Sequence, residues 1–233
     1  LASFYQINAH WGARFGWGMG YKIPDALSPQ IKEYEIEDIQ PISPDARAEY
    51  SSGYNAELNF KKKWDNEHSL FINHAFFLTS IYRPLVGKED ANGKLSFANA
   101  DKPVVTRGFD TYLKLKLEDW EIYAGITYTL AEKTYLSSNR MMPLTPVFRT
   151  AGMITYEIEG KARICMETSY TGIQRREDYS KTPGYLFLAA MADIRLHKYA
   201  SLIINCENLL DYRQSKVENL NVGTIINPVF PSL

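Results

Sequence analysis

The sequence predicts an all-β chain, part of a transmembrane antiparallel β-barrel, and three observations carry that prediction. Side chains alternate between apolar and polar with a period of two, short and long connections follow one another in turn, and the polar face is too charged for a closed soluble core. Composition decides little: 233 residues, 45% hydrophobic, 13% aromatic and a net charge of −1, values an ordinary soluble domain also shows. The most apolar stretch, Leu186 to Ala192, is ended by Asp193, far short of the roughly 20 residues a membrane helix needs, so a helical membrane protein is excluded. Lys61, Lys62 and Lys63 form the one basic run, which a solvated strand end explains, so nucleic acid is not an expected partner.

The alternation is clearest from Phe109 to Leu130. Leu113, Leu115 and Leu117 alternate with Tyr112, Lys114 and Lys116, and beyond Glu118-Asp119 the residues Trp120, Ile122, Ala124, Ile126, Tyr128 and Leu130 alternate with Glu121, Tyr123, Gly125, Thr127 and Thr129. Residues flanking a two-residue hairpin turn share a face, which places Leu117 and Trp120 on the same apolar side. Three more hairpins keep one apolar face if each has a three-residue turn: Trp64 and His68 around Asp65-Asn66-Glu67, Ile158 and Ala162 around Glu159-Gly160-Lys161, and Leu196 and Ala200 around His197-Lys198-Tyr199.

The intervening segments, Pro24 to Arg47, Arg83 to Thr106 and Tyr135 to Val147, are much longer. Short turns at one end of a meander and long loops at the other are how outer-membrane barrels are built. From Tyr54 to Trp64 a strand tilted by about 45° reaches roughly 23 Å, close to the apolar band of such barrels. Trp64, Trp120 and Tyr199 near the turns and Tyr54, Tyr128 and Tyr170 at the far ends are expected to form two aromatic girdles. A soluble sandwich or lipocalin-like barrel also alternates, but its strands are nearer 5 or 6 residues.

The face opposite the apolar one supplies the candidate functional residues. Lys114, Lys116, Glu121, Arg163, Glu167, Asp193 and Arg195 are expected to line a polar lumen, while Leu113, Leu115, Ile122, Ile126, Ile154, Ile164, Leu186, Leu188, Leu202 and Ile204 face lipid. Gly16, Gly18 and Gly20 alternate with Phe15, Trp17, Met19 and Tyr21; this glycine stripe either faces the lumen, where it lets another element approach the wall, or relieves strand twist. Cys165 and Cys206 fall on non-adjacent strands and opposite faces, so two free thiols are expected. His10, His68, His74 and His197 have no metal-ligand spacing, and Met141-Met142 without a nearby His or Cys reads as loop packing, so no metal and no cofactor is expected. Nor is there a nucleophile beside a base or a phosphate-binding glycine loop. Glu167 and Glu207 as an acid and base pair are the remaining catalytic alternative, and no catalytic residue is assigned.

Five segments carry a family resemblance. Arg14 to Pro24, RFGWGMGYKIP, resembles the barrel strand of TonB-dependent receptors in which a glycine-interrupted aromatic run ends in Pro; Ala48 to Phe60 resembles the strand after it, and Thr106 to Tyr112, TRGFDTY, a strand opening of that family. Ala162 to Gln174 and Ile203 to Gln214 resemble its penultimate hairpins, the latter in the NxENLxDxRQ form of Bacteroidetes receptors. The resemblance spans essentially the whole chain. It implies a bacterial outer-membrane barrel of 22 strands, of which about nine are counted here, filled by an amino-terminal plug and surrounded by lipid. Such a receptor binds a scarce small-molecule nutrient outside and releases it when the TonB complex pulls on the plug. Ferric siderophore is the leading substrate, with haem, cobalamin or glycan behind it, and a passive porin or a barrel enzyme is the rival class. The family's plug, TonB-contacting segment and final strand have no counterpart in residues 1–233, so the chain is expected to be the carboxyl-terminal part of the barrel, cut at both ends.

Overall fold

Alternation over ten or more residues can satisfy backbone hydrogen bonds only by pairing with neighbours, and the chain does so as a meander. The computed structural model describes residues 1–24, 42–89, 94–176 and 178–213. Its strands are β1 (Ala2–Gln6), β2 (Trp11–Lys22), β3 (Glu49–Lys63), β4 (His68–Tyr82), β5 (Leu85–Glu89), β6 (Leu95–Asn99), β7 (Val104–Leu117), β8 (Trp120–Lys133), β9 (Phe148–Ile158), β10 (Ala162–Thr171), β11 (Gln174–Arg175), β12 (Lys181–Thr182), β13 (Tyr185–His197) and β14 (Ala200–Cys206). Ten of them form one antiparallel sheet in the order β1-β2-β3-β4-β7-β8-β9-β10-β13-β14, and no described residue is helical.

The turns fix the register. Leu117 pairs with Trp120 across Glu118-Asp119, where Glu118 takes a positive φ of 49°. Ile158 pairs with Ala162 across a turn whose Gly160 adopts φ 66°, the left-handed conformation that glycine enters without steric cost. The Trp64 amide donates to the His68 carbonyl at 3.1 Å around Asp65-Asn66-Glu67. The fourth turn differs from expectation. Arg195 pairs with Ser201, but His197 then pairs with Ala200, so a bulge at Leu196 shortens the turn to Lys198-Tyr199. An extra residue on one strand raises local twist, a device common at barrel rims.

The long connections sit at the opposite end of the sheet. Most of Pro24 to Arg47 lies outside the described residues. Arg83 to Thr106 is not plain loop, because it contains the β5–β6 hairpin, docked by Asn99: its amide donates to the Arg47 and Arg83 carbonyls at 3.0 and 2.7 Å and accepts from the Arg47 amide at 2.7 Å. Leu85 and Phe97 of that hairpin are among the few buried apolar side chains described. A further long connection, between β10 and β13, contains β11 and β12. The expected strand count of about nine falls one short because β1, five residues long, pairs with β2.

Both faces of the sheet follow from the register. Trp11, Phe60, Ile72, Leu113, Ala124 and Gly152 stand in one row across six strands, and Leu115, Ile122, Ile154, Met166, Ala190 and Cys206 in another. Because side chains alternate, these rows place every residue expected on the apolar face on one side. That side is open: Phe76, Ile126, Ile154, Ile164, Leu186, Leu202 and Ile204 are all exposed. Trp64, Trp120 and Tyr199 are exposed at the short turns, Lys62 Nζ lying 5.2 Å above the Trp64 ring and Lys198 Nζ 4.7 Å above that of Tyr199. At the far end the strands continue past Tyr54 to a row of Tyr21, Tyr50 and Tyr82, the last two stacked at 4.7 Å. The fifteen residues of β3 reach about 35 Å when tilted, so its ends stand clear of an apolar band about 25 Å tall.

Candidate functional site

The polar face runs across the whole sheet. Gly16, Gly18 and Gly20 of β2, Lys114 and Lys116 of β7, Glu121 of β8, Arg163 and Glu167 of β10 and Asp193 and Arg195 of β13 all lie on it. They do not form one cluster. Three strand steps, about 15 Å, separate β2 from β7, so the glycine stripe and the charges occupy different sectors.

Lys114, Glu121 and Tyr123 make the tightest group. Lys114 Nζ is 3.5 Å from Glu121 Oε1 and 4.9 Å above the Tyr123 ring, and the Tyr123 hydroxyl donates to Glu121 Oε2 at 3.1 Å. Lys116 stands opposite Glu121 in register, but the ion pair to that carboxylate is made by Lys114. Arg163 faces Asp193 in register and, with Glu157 and Arg195, surrounds a cavity of about 250 Å³, yet no ion pair joins Arg163, Asp193 or Arg195 to another described residue. Charges standing free on a wall remain solvated or await a polar partner.

The glycines differ among themselves. A Cβ at Gly16 would run into the Asn55 side-chain oxygen and one at Gly20 would meet Ser51 Oγ at 3.0 Å, whereas at Gly18 no described residue lies within 4 Å. Gly16 therefore admits its neighbour Asn55, and Gly18 opens free space over the wall.

The polar face holds further residues that the sequence reading did not single out. Arg14 reaches Glu57 at 3.6 Å, Asn73 donates to Asn59 at 2.7 Å, and the Thr127 hydroxyl donates to Asp110 at 2.9 Å. Tyr112, Tyr123, Met153 and Phe187 surround a shallow cavity of about 300 Å³ floored by Gly125, Ala151 and Ala189. The period-two positions alone would have found them, since each falls on the charged side. Thr155 is 2% exposed and its hydroxyl has no hydrogen-bond partner among the described residues. Cys165 is buried on this face and Cys206 exposed on the other, both free, with β13 between their strands. Glu167 and Glu207 line one cavity of about 320 Å³ with no histidine or hydroxyl nucleophile among its lining residues. Among the described residues no group of three or more His, Cys, Asp or Glu is arranged to hold a metal ion.

This architecture agrees with the comparison by sequence family: the family described as TonB dependent receptor-like, beta-barrel, matches residues 1–209. The chain belongs to the TonB-dependent receptor family. That is a family of outer-membrane β-barrel receptors and transporters, not of enzymes. No curated protein matches the chain in sequence. Solved structures share its fold at low identity. The ferric enterobactin receptor PfeA of Pseudomonas aeruginosa, in complex with enterobactin, aligns with a TM-score of 0.72 at 14% identity over 91% of this chain and 35% of its own. The siderophore receptor PirA of Acinetobacter baumannii aligns at 0.70 and 15% over 89% and 36%. The copper transporter OprC aligns at 0.70 and 14% over 91% and 33%. The TonB-dependent receptor segment thus spans about a third of the length of these structures.

Proposed function

We propose that the chain is the carboxyl-terminal wall of a plugged outer-membrane barrel that takes up a scarce nutrient, a ferric siderophore, with energy from the TonB complex. One observation carries the reading: ten strands keep a single register that collects apolar side chains on one face and charges on the other. An apolar face this wide suits lipid, and a charged face suits a water-filled lumen holding a polar plug. The wall's part is to present Lys114, Lys116, Glu121, Arg163, Glu167, Asp193 and Arg195 to that plug through water and hydrogen bonds weak enough to be broken when the plug is pulled. Gly16, Gly18 and Gly20 let the plug approach β2. Siderophore rather than haem, cobalamin or glycan is favoured because proteins named for ferric siderophores recur among the structures of the same fold.

The test is growth of cells expressing the full-length receptor on a limiting ferric chelate, with and without a working TonB. Growth only with TonB is expected. TonB-independent growth would point to a porin and end the active-transport reading. Gly18→Trp, which projects an indole into the free space over the wall, is expected to depress uptake while leaving outer-membrane insertion intact.

A further inference from the structure

At the long-connection end of β9 and β10 the apolar face ends in a cavity of about 330 Å³, bounded by Met141, Met142, Phe148, Tyr170, Arg175 and Lys181. Phe148 and Tyr170 belong to the apolar rows, with ring centroids 6.3 Å apart and Phe148 40% exposed. The floor is closely fitted: a Cβ at Gly172 would come within 2.8 Å of the Phe148 carbonyl, and one at Gly184 within 2.6 Å of the Tyr170 hydroxyl.

Above this aromatic floor stand two cations whose arrangement is unfavourable by itself. Arg175 and Lys181 are direct cross-strand partners in the β11–β12 hairpin, and like charges placed opposite one another destabilise a strand pair. Both are exposed, and neither has an ion pair among the described residues. Asp178, nearby in the same hairpin connection, is occupied: its carboxylate accepts from the Ser180 amide at 2.9 Å and the Ser180 hydroxyl at 2.7 Å. The Leu144 amide donates to the Arg175 carbonyl at 2.7 Å, fastening the hairpin to the β8–β9 connection. An anion between the two cations would turn their repulsion into a clamp, and an apolar tail attached to it would lie along Phe148, Tyr170 and the methionines.

We propose that this is a site for a phosphorylated lipid of the outer leaflet, with the phosphate between Arg175 and Lys181 and an acyl chain on Phe148 and Tyr170. The proposal rests on the reading above, in which the apolar face meets lipid and the long connections lie outside. A nutrient site is disfavoured because the floor belongs to the apolar rows, whereas Arg149 and Thr171, one position away on the same strands, belong to the charged face.

The experiment uses the full-length receptor in detergent micelles, titrated with lipid A carrying two phosphates, its dephosphorylated form, or inorganic phosphate. Bound lipid is read by native mass spectrometry. The wild type is expected to hold the phosphorylated lipid, and Arg175→Gln/Lys181→Gln to bind it about tenfold or more weakly, since two charge-assisted contacts are lost. Lys198→Gln at the opposite end should bind as the wild type does. The dephosphorylated lipid should bind no better to the wild type than the phosphorylated lipid binds to the double variant, and millimolar inorganic phosphate should not compete. Equal affinity in the double variant, or inorganic phosphate binding as tightly as the lipid, would overturn the site. Outer-membrane fractionation and TonB-dependent growth of the same cells report separately on the transport reading. A double variant that keeps lipid but loses uptake would assign the two cations to the nutrient and overturn the lipid site. Failure of the wild type to reach the outer membrane would overturn both.

Discussion

His74 Nδ1 lies 2.7 Å from Thr111 Oγ1, near the middle of the mainly apolar face, with Phe76 edge-on at 4.5 Å and Phe109 at 5.6 Å. A lone imidazole facing hydrocarbon would be costly; here the cross-strand hydroxyl satisfies one ring nitrogen and two phenyl rings flank it. Thr111→Val should therefore destabilise the folded barrel by about 1 kcal/mol. His74→Leu/Thr111→Val should return most of that loss, because removing both partners leaves no unsatisfied group. Urea unfolding of all variants in lipid vesicles, treated as a double-mutant cycle, measures the coupling; additive effects would remove the pair from the account.

Thr155 reverses that logic. Its buried hydroxyl has no partner among the described residues, so Thr155→Val is expected to be neutral or to stabilise by up to about 1 kcal/mol in the same assay. A clear loss of stability would mean that the hydroxyl is bonded in the assembled receptor, by the plug or by water.

Asp65 predicts a pH dependence. The Glu67 amide lowers its pKa most, against a smaller opposing effect of desolvation; the His68 side chain and amide lower it further. Its carboxylate accepts from the Glu67 amide at 2.8 Å and the His68 amide at 2.7 Å, with His68 Nδ1 2.9 Å away. A folded-state value below the ordinary carboxylate value means a contribution fully present above that ordinary value and lost as pH falls through the lowered one. Unfolding midpoints of the wild type and Asp65→Ala should differ at neutral pH and converge in strong acid. A constant difference would exclude the carboxylate as the cause.

The cysteines report on the faces. In intact outer membranes a lipid-soluble maleimide should label Cys206 and a charged thiol reagent should not, while buried Cys165 resists both until the protein unfolds. Rapid labelling of Cys206 by the charged reagent would reverse the assignment of the apolar face to lipid.

Where alternation ran for ten residues or more the sequence was easily read. The positions of Leu113, Leu115, Ile122 and Ile154 on one face, and of Lys114 and Glu121 on the other, needed only the period of two and the length of a turn. Shorter elements escaped. β1 has five residues and β11 only two, too few for a period to stand out, and β5–β6 is held by Asn99 rather than by an alternating stripe. The bulge at Leu196 was hidden because both possible turns keep Ser201 and its successors in the same rows. Spacing excluded His74 as a metal ligand but did not place it on the apolar face, because a hydrogen bond, not its polarity, decides which face it tolerates. Pairing within the polar face was equally invisible: spacing placed Lys114 and Arg163 on one side without revealing that the first is paired and the second is not.

The two ends of the sheet also face different evolutionary prospects. A single residue gained within Glu118-Asp119 would change the hairpin type and, if not absorbed by a new bulge, exchange the lipid-facing and lumen-facing side chains of β8. A residue gained in the connections after β2, β4, β8 or β10 is taken up by loop before the next strand begins, and two of those connections have already grown hairpins of their own. Lineages descending from such a chain should therefore vary freely in length on one side of the membrane and hardly at all on the other, so that new specificity accumulates at the outer rim while the reading frame of the wall stays fixed.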